Sequence, residues 1–243
     1  MNLVIDVGNT FVKIAVFQNN SIRETWKFEK KDFLKKFQKI QSQYPKIQNS
    51  IISSVSSGDD FLIKEVKKHY PLLELDQSTK LPFQNNYGTP SSLGKDRIAL
   101  AAAAVKEHPG KNVLVIDAGT CITYDLKTSE DIYLGGSISP GLGMRFKSLH
   151  KFTANLPLVI PKPEAELIGN STETSILSGI INGIKMELKG IIEAYGSDYQ
   201  ELKVIFTGGD SQFLSIPLKN SIFANPNFLL EGLNFILEFN KTQ

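Results

Sequence analysis

The 243-residue chain contains one cysteine, one tryptophan and three histidines. A single cysteine, Cys121, excludes an internal disulfide. The three histidines, His69, His108 and His150, show none of the spacings that build a zinc site. We therefore expect a reducing, cytoplasmic environment and no structural metal.

Long hydrophobic runs are also missing. The longest, such as residues 98–105, extend for about eight residues, whereas a helix that crosses a bilayer needs ~20. Asp6 interrupts the apolar stretch that opens the chain, and no basic segment precedes it, so a secretory signal is not expected. Neither a membrane span nor a membrane partner is predicted.

The chain has no strong charge of either sign. Lysine and arginine number 27 against 25 acidic residues, which gives a formal net charge of +2. Such a small bias does not favour nucleic acid as a partner. With 41% hydrophobic and 21% charged residues the composition is that of a folded globular protein. The length allows one large domain or two modest ones.

What the sequence does contain is a pattern that occurs twice. Residues 3–10 read Leu-Val-Ile-Asp-Val-Gly-Asn-Thr, and residues 114–120 read Leu-Val-Ile-Asp-Ala-Gly-Thr. Each is an apolar strand that ends in aspartate, followed by a turn with glycine and threonine and then a second predicted strand. The pattern predicts two topologically similar halves, an N-terminal domain over 1–111 and a C-terminal domain over 112–243.

Both turns have the residue types of a phosphate-binding loop. Glycine frees backbone N–H groups to point at oxyanions, and threonine adds a hydroxyl beside them. The aspartates Asp6 and Asp117 add a hard oxygen ligand for magnesium or another cation. The alternative is an ordinary hairpin in which aspartate and threonine cap the turn. P-loop and Rossmann signatures are absent, since Gly94-Lys95 is followed by Asp96 and no G-x-G-x-x-G follows a strand.

A third segment, Gly94-Lys95-Asp96-Arg97, opens an alanine-rich helix predicted to run to Glu107, with Ser91 or Ser92 available as its N-cap. In one interpretation Asp96 only stabilises the first helical turn. In the other it accepts a hydroxyl proton, while Lys95 and Arg97 hold an anionic substrate. The sequence leaves both open.

Glycine-rich segments and a lysine-rich helix allow further interpretations. Gly135–Gly141 is either a turn or part of an active-site floor, and Gly208-Gly209 is either a strand-to-helix turn or a place where the backbone approaches a flat ligand closely. The lysines around residues 30–39 predict a solvated helix face.

Taken together, these motifs resemble the type III pantothenate kinases, in the superfamily of acetate and sugar kinases, Hsp70 and actin. The resemblance covers nearly the whole chain, and its strength lies in the order and spacing of the motifs. They are Asp6–Thr10, Tyr87, Gly94–Arg97, Asp117–Thr120, Gly135–Gly141, Ala154–Pro157, Gly169–Thr172, Ser178-Gly179 and Thr207–Gly209.

The resemblance implies an α/β fold of two ribonuclease-H-like, actin-like ATPase domains, with mixed sheets, flanking helices and the nucleotide in the interdomain cleft. It implies that ATP is the phosphate donor, with Asp6 near Mg2+. Asp117 would hold a monovalent cation, K+ or NH4+. The implied ATP contacts are Asp6, Val7, Gly8, Asn9, Thr10, Phe11, Val12, Lys13 and Thr120.

For the substrate, the resemblance implies phosphorylation of pantothenate, the first step of coenzyme A biosynthesis, with Asp96 as the proton acceptor. The implied pantothenate contacts are Tyr87, Gly94, Lys95, Asp96, Arg97 and Thr172. It also implies a homodimer whose interface contributes to the pantothenate pocket. The chain departs from the family pattern at Ser171, where asparagine is expected before Thr172.

Two other functions stay open at this stage. One is another small-molecule kinase or a phosphohydrolase on the same fold. The other is a non-catalytic regulator, against which the intact aspartates at positions 6, 96 and 117 argue.

Overall fold

The computed structural model describes residues 1–8, 10–54, 57–211, 213–214, 221–223 and 226–241. The chain forms two compact units. The first comprises Met1–Glu107 together with Asn227–Gln243, and the second comprises His108–Pro226.

The first unit contains β1 (Asn2–Val7), β2 (Phe11–Gln18), β3 (Ser21–Glu29), α1 (Phe33–Gln43), β4 (Asn49–Ser54), α2 (Asp60–Lys67), β5 (Leu72–Glu74), β6 (Gln84–Asn85), α3 (Lys95–Glu107) and, at its C-terminal end, α6 (Phe228–Lys241). The second unit contains β7 (Val113–Ala118), β8 (Cys121–Lys127), β9 (Ile132–Pro140), α4 (Leu142–Phe152), α5 (Thr172–Asp198), β10 (Lys203–Thr207) and β11 (Ser221–Phe223).

The two units arrange these strands in the same order. In the first the order is β3-β2-β1-β4-β5, and within the second it is β9-β8-β7-β10-β11. In each, the first three strands pair antiparallel, and the last two lie parallel to the first strand. The predicted fold class, α/β with two mixed sheets and flanking helices, is confirmed.

The central strands β1 and β7 are buried on both faces. Alternate residues of β1, such as Leu3 and Ile5, pack into one hydrophobic cluster with α1 and α2. On the other face Asn2 donates a hydrogen bond to Asn234 of α6, 2.7 Å away. In the second unit Leu114 and Ile116 of β7 pack into a cluster with α4 and α5. The alternation along a strand places both Asp6 and Asp117 on the sheet face opposite these clusters.

Helix α1 has the predicted solvated lysine face, with one difference. Its apolar residues Phe33, Phe37 and Ile40 are buried, and Lys35, Lys36 and Lys39 are exposed. Lys30, expected in the same face, instead forms an ion pair of 2.7 Å with Asp59, which is buried. This lysine has a structural partner because a buried carboxylate requires a compensating charge.

The last helix corrects the expected domain division. A C-terminal domain over 112–243 was predicted, yet α6 belongs to the first unit. It packs on α3 and contacts β1 and β4. Its apolar side, which includes Leu233, Ile236 and Leu237, is buried. Periodicity predicted this helix but carries no information on which sheet the helix covers.

Helix α3 is buried from Arg97 to Val105, and its small side chains let α6 approach closely. A Cβ placed on Gly232 of α6 would lie 1.8 Å from the carbonyl oxygen of Ala99. The alanines at 99 and 101–104 therefore serve close helix packing as well as helix propensity.

Within the described residues, no helix combines the length and the apolar character needed to cross a membrane.

Replacing Gly232 with alanine is expected to destabilise the protein by about 1–3 kcal/mol, because the added methyl group collides with backbone that cannot rotate away. Urea unfolding of the variant measures the loss. Gly190→Ala in α5 is the control, since nothing lies within 4 Å of a Cβ at Gly190, and an exposed helical alanine is expected to be neutral or slightly stabilising. Equal stability of the two variants would contradict the close contact.

Candidate active site

The first strand-end turn joins β1 to β2. Asp6 is half-buried near the end of β1, and Thr10 is exposed. The N–H of Gly8 donates to the carbonyl oxygen of Phe11 at 3.0 Å, and the N–H of Lys30 donates to the carbonyl oxygen of Thr10 at 3.4 Å. Backbone hydrogen bonds thus close the turn.

The other predicted ATP contacts in this segment differ in how far their side chains are exposed. The side chains of Val7 and Val12 are fully buried in the core, so only their backbone could meet a nucleotide. Phe11 is exposed, and Lys27 Nζ lies 4.8 Å from the centre of its ring. Lys13 is half-buried. Asn9 lies outside the described residues.

The second turn joins β7 to β8 and repeats the first. Asp117 is half-buried and Thr120 is exposed. The N–H of Gly119 donates to the carbonyl oxygen of Cys121 at 2.9 Å, and the N–H of Gly141 donates to the carbonyl oxygen of Thr120 at 3.2 Å. Gly141 follows β9 as Lys30 follows β3, so the two turns are held at equivalent points.

Each aspartate stands in a row of three residues across neighbouring strands. Asp6 pairs in register with Ser53 and Lys13. The residues opposite Asp117 are Thr207 and Thr123. Register partners project to the same sheet face, so these side chains are neighbours.

Two hydroxyls in these rows are buried without a hydrogen-bond partner, Ser53 Oγ and Thr123 Oγ1. A buried hydroxyl left unsatisfied costs about 1–3 kcal/mol. Their positions beside the aspartates therefore point to function. Neither residue was predicted to belong to the site. The alignment of β4 with β1 and of β8 with β7 places these hydroxyls beside the aspartates, and this alignment cannot be read from the sequence.

Glycines let backbone approach the second aspartate closely. Gly208 has a φ of +100°, and a Cβ there would lie 2.4 Å from Asp117 Oδ1 and 2.2 Å from the carbonyl oxygen of Ala118. A Cβ on Gly141 would lie 2.2 Å from the carbonyl oxygen of Gly119. Gly208 thus lets the backbone approach the Asp117 carboxylate closely, and approach to a flat ligand stays a prediction.

The donor sets fit the cations implied by the resemblance. Mg2+ keeps several waters and takes one or two carboxylates plus phosphate oxygens, which a lone Asp6 can satisfy. No group of three or more His, Cys, Asp or Glu side chains able to hold a metal occurs among the residues described. For a monovalent cation, the Asp117 carboxylate and the orphaned Thr123 hydroxyl are oxygen donors of the required kind.

The segment around Asp96 is compact. The guanidinium of Arg97 lies 5.4 Å from the ring centre of Tyr87, and Arg97 is only 4% exposed. Asp96 Oδ1 accepts the backbone N–H of Arg97 at 2.9 Å. A Cβ on Gly94 would lie 2.4 Å from that same carboxylate oxygen. The absence of a side chain at Gly94 thus sets the position of the Asp96 carboxylate.

The predicted N-cap by Ser91 or Ser92 is wrong. Both lie in a separate 3-10 turn, Pro90–Ser92, and the Ser92 hydroxyl donates to the carbonyl oxygen of Thr89 at 2.9 Å. The first helical hydrogen bond of α3 runs from the Ile98 N–H to the Gly94 carbonyl oxygen at 3.1 Å. Gly94 has no side chain that could cap the helix, and the Asp96 carboxylate itself accepts one first-turn N–H, that of Arg97. The start of α3 thus presents N–H groups and a positive dipole, which suit an anionic group.

Lys95 faces a cavity of about 470 Å³ in the first unit. The cavity lies beside the Asp96 segment and is lined partly by polar residues, among them Asp76, Thr79, Asn85 and Ser91.

Thr172 is the first residue of α5 and is exposed. Ser171 caps the helix, since its side chain accepts the N–H of Thr174 and the Thr174 hydroxyl accepts the N–H of Ser171. Thr172 lines a groove of about 670 Å³ between α4 and α5 together with Arg145, Ser148, Leu149, Leu156, Ser175, Ile176, Gly179 and Ile180.

The glycine-rich segment that ends β9 has a role in both packing and the turn. Gly136 has a φ of +155°, and a Cβ there would lie 1.7 Å from the carbonyl oxygen of Tyr124. Gly141, at the other end, contacts the Gly119–Thr120 turn as described. The structure therefore places Tyr87, Gly94, Asp96 and Arg97 together in the first unit, and Asp117, Thr120, Gly141 and Gly208 together in the second.

Comparison with known proteins identifies relatives of this chain. The pattern of the type III pantothenate kinase family matches residues 2–194. A type III pantothenate kinase from Christiangramia forsetii is 70% identical over 243 residues, which is 100% of both chains.

Solved structures share the fold. A protein from Campylobacter jejuni named for the Baf family of transcriptional activators has a TM-score of 0.67 at 23% identity, over 99% of this chain and 100% of that one. The activator of 2-hydroxyisocaproyl-CoA dehydratase from Clostridium difficile, solved with bound ADPNP, has a TM-score of 0.55 at 11% identity, over 100% of this chain and 97% of that one.

The repeated aspartate turns, the Asp96 segment and a match that covers most of the chain lead to one conclusion: the chain belongs to the type III pantothenate kinase family.

Proposed function

We propose that this protein is an ATP:pantothenate 4'-phosphotransferase, which converts pantothenate to 4'-phosphopantothenate in the first step of coenzyme A biosynthesis. The observation that carries the proposal is the Asp96 carboxylate, held against Gly94 at the open start of α3 in a member of this family. The use of ATP supports the predicted cytoplasmic location.

In this proposal the turns hold the nucleotide. Residues 6–13 contact the ATP phosphates, mainly through backbone N–H groups, since two of the side chains are buried. Thr120 is exposed in the second turn and contacts ATP with its hydroxyl. Mg2+ bound near Asp6 and a monovalent cation at Asp117 would offset charge on the phosphates when present.

Asp96 is the proton acceptor in this proposal. It orients the 4'-hydroxyl of pantothenate and accepts its proton as the oxygen attacks the γ-phosphorus in line.

The surrounding residues recognise the substrate. Tyr87 and the segment Gly94–Arg97 line the pantothenate site. The positive charges of Lys95 and Arg97 suit the carboxylate of pantothenate, and the Tyr87 ring fixes the Arg97 guanidinium. Thr172 supplies a further contact.

We also propose a homodimer. The end of α4 and the chain that leads from it to α5 expose large apolar side chains: Phe152 and Ile160 are each 79% exposed, Leu167 is 77% and Ile168 is 84%. Such a concentration on one segment is typical of a protein interface. This segment leads into Thr172, so a dimer formed there would bring its interface to a predicted pantothenate contact.

A kinase for another small molecule and a non-catalytic regulator remain the alternatives. The likeness to the Baf-named protein supports only the fold at 23% identity. Single-compound assays with pantothenate, sugars, acetate and N-acetylhexosamines separate the first alternative. The second predicts no turnover with any of them.

The wild-type protein is expected to phosphorylate pantothenate in a coupled assay with ATP, Mg2+ and K+. Asp96→Asn is expected to lower kcat about 10²- to 10⁴-fold, because the amide cannot accept the proton, while calorimetry shows ATP and pantothenate still bind. Asp198→Asn, at an exposed position of α5, is the control and should keep full activity. Full activity of Asp96→Asn would refute the role of Asp96.

Gly94→Ala is expected to lower kcat about 10- to 100-fold with little change in unfolding free energy. The added methyl group displaces a mobile carboxylate, which costs little stability but misplaces the proton acceptor. Gly190→Ala is the matched control, with open space around its Cβ. A Gly94→Ala variant as active as Gly190→Ala would show that the carboxylate position does not limit turnover.

Thr123→Val is expected to raise the K+ concentration needed for half-maximal activity about tenfold, because it removes an oxygen donor beside Asp117. Potassium titration of the coupled assay measures the change, with Thr25→Val at an exposed position of β3 as control. If the hydroxyl binds no cation, its removal should instead leave the potassium response unchanged and raise the melting temperature, because an unsatisfied buried group is lost.

A further inference from the structure

Arg145 of α4 joins three parts of the second unit. Its Nε donates to the carbonyl oxygen of Pro140 at 2.8 Å, and its Nη2 donates to Ser139 Oγ at 2.8 Å and to Glu187 Oε2 at 2.6 Å. The guanidinium therefore ties the end of β9 to helix α5. The motifs of the family resemblance did not include it.

Glu187 fixes this guanidinium from the α5 side. Its other carboxylate oxygen accepts the Tyr124 hydroxyl at 2.9 Å. Burial acts to raise the pKa of Glu187, but the hydrogen bonds from Arg145, Ser139 and Tyr124 bring the pKa below its usual value. The carboxylate is thus ionised at neutral pH, and the bond to Arg145 is a charge-assisted one between two partly buried groups.

The residues that Arg145 holds lie directly against the second turn. Gly141 follows Pro140, and its N–H donates to the carbonyl oxygen of Thr120 at 3.2 Å. A Cβ on Gly141 would lie 2.2 Å from the carbonyl oxygen of Gly119 and 2.3 Å from that of Thr120. Backbone packed this tightly cannot shift at Pro140 without moving the turn.

We propose that Arg145, held in place by Glu187, is a positioning residue that fixes the Gly119–Thr120 turn for the nucleotide. The proposal rests on the proposed function in one respect, that Thr120 contacts ATP. Without the guanidinium, the Pro140 carbonyl and the Ser139 hydroxyl lose their anchor, and the turn samples conformations that do not bind the phosphates. A nucleotide that binds only the original conformation then binds more weakly. Its apparent affinity is the intrinsic affinity multiplied by the fraction of molecules in that conformation.

The loss should be larger for the nucleotide than for pantothenate. Thr172, the predicted pantothenate contact on α5, is held by the Ser171–Thr174 capping box. Arg145 lines the same groove as Thr172, so the Kd for ADPNP measured without pantothenate is the constant that tests the positioning role.

The test measures steady-state kinetics for both substrates and, without pantothenate, calorimetric binding of the non-hydrolysable analogue ADPNP. Arg145→Met is expected to raise the KM for ATP and the Kd for ADPNP about tenfold, and to change the KM for pantothenate less. Arg145→Lys should recover part of the loss, since an ammonium reaches fewer of the three acceptors. Lys111→Met breaks an exposed ion pair of 3.0 Å with Glu201 in the same unit and should change neither constant.

Glu187→Gln should weaken ADPNP binding less than Arg145→Met, and the double variant should be no worse than Arg145→Met alone if Glu187 acts through Arg145. A fall of kcat and melting temperature in Arg145→Met with unchanged affinity for ADPNP would make the residue merely structural and overturn the proposal. If the wild-type protein failed to phosphorylate pantothenate but Arg145→Met still weakened ADPNP binding, the proposed function would fail and the positioning role would stand.

Discussion

One backbone hydrogen bond recurs in both units and determines the shape of the candidate nucleotide turns. At the end of the third strand, the next N–H donates to the carbonyl oxygen of the turn threonine, Lys30 to Thr10 in the first unit and Gly141 to Thr120 in the second. This hydrogen bond forms only if the first three strands are in the correct register, because a slip of one residue would place the donor N–H on the other face. The short turns that join β1 to β2 and β7 to β8 fix this register, and the burial of both central strands stabilises it, so the turn geometry depends on the core.

The two units support this bond in different ways. In the first, Lys30 both donates its N–H and pairs its ammonium with Asp59 at 2.7 Å, and Asp59 also accepts the Ser54 hydroxyl from the end of β4 at 2.6 Å. In the second, no side chain fits at the donor, since a Cβ on Gly141 would overlap the turn. The supporting cation is therefore carried by Arg145, four residues later on α4 and so one helical turn away. In the second unit, glycine at position 141 thus lets the backbone approach the turn, and the long basic side chain is placed on α4 instead.

Much of this fold could be predicted from the sequence, because the signals involved are local. Apolar strands that end in Asp6 and Asp117 were recognisable from residue type, and the alanine-rich helix from propensity and length. Assignment of α6 to the first unit could not be predicted, because its apolar stripe fits either sheet. The roles of Ser53 and Thr123 depend on strand register, and the Arg145–Glu187 pair joins residues far apart in the chain. Sequence reasoning also misplaced the cap of α3, because serine is a good N-cap wherever it precedes a helix, and only the path of the chain shows that Gly94 occupies that position.

The duplication also gives a physical reason for a cation at the second aspartate. In the first row the register partners of Asp6 are Ser53 and Lys13, so one neighbour is positively charged. In the second row the partners of Asp117 are Thr207 and Thr123, and neither supplies charge. In the proposed function a monovalent cation would supply positive charge beside Asp117, and the unsatisfied Thr123 hydroxyl would provide an oxygen for it. The lysine in one copy and the proposed cation in the other would then be two ways of placing a positive charge beside a carboxylate at the end of a buried strand.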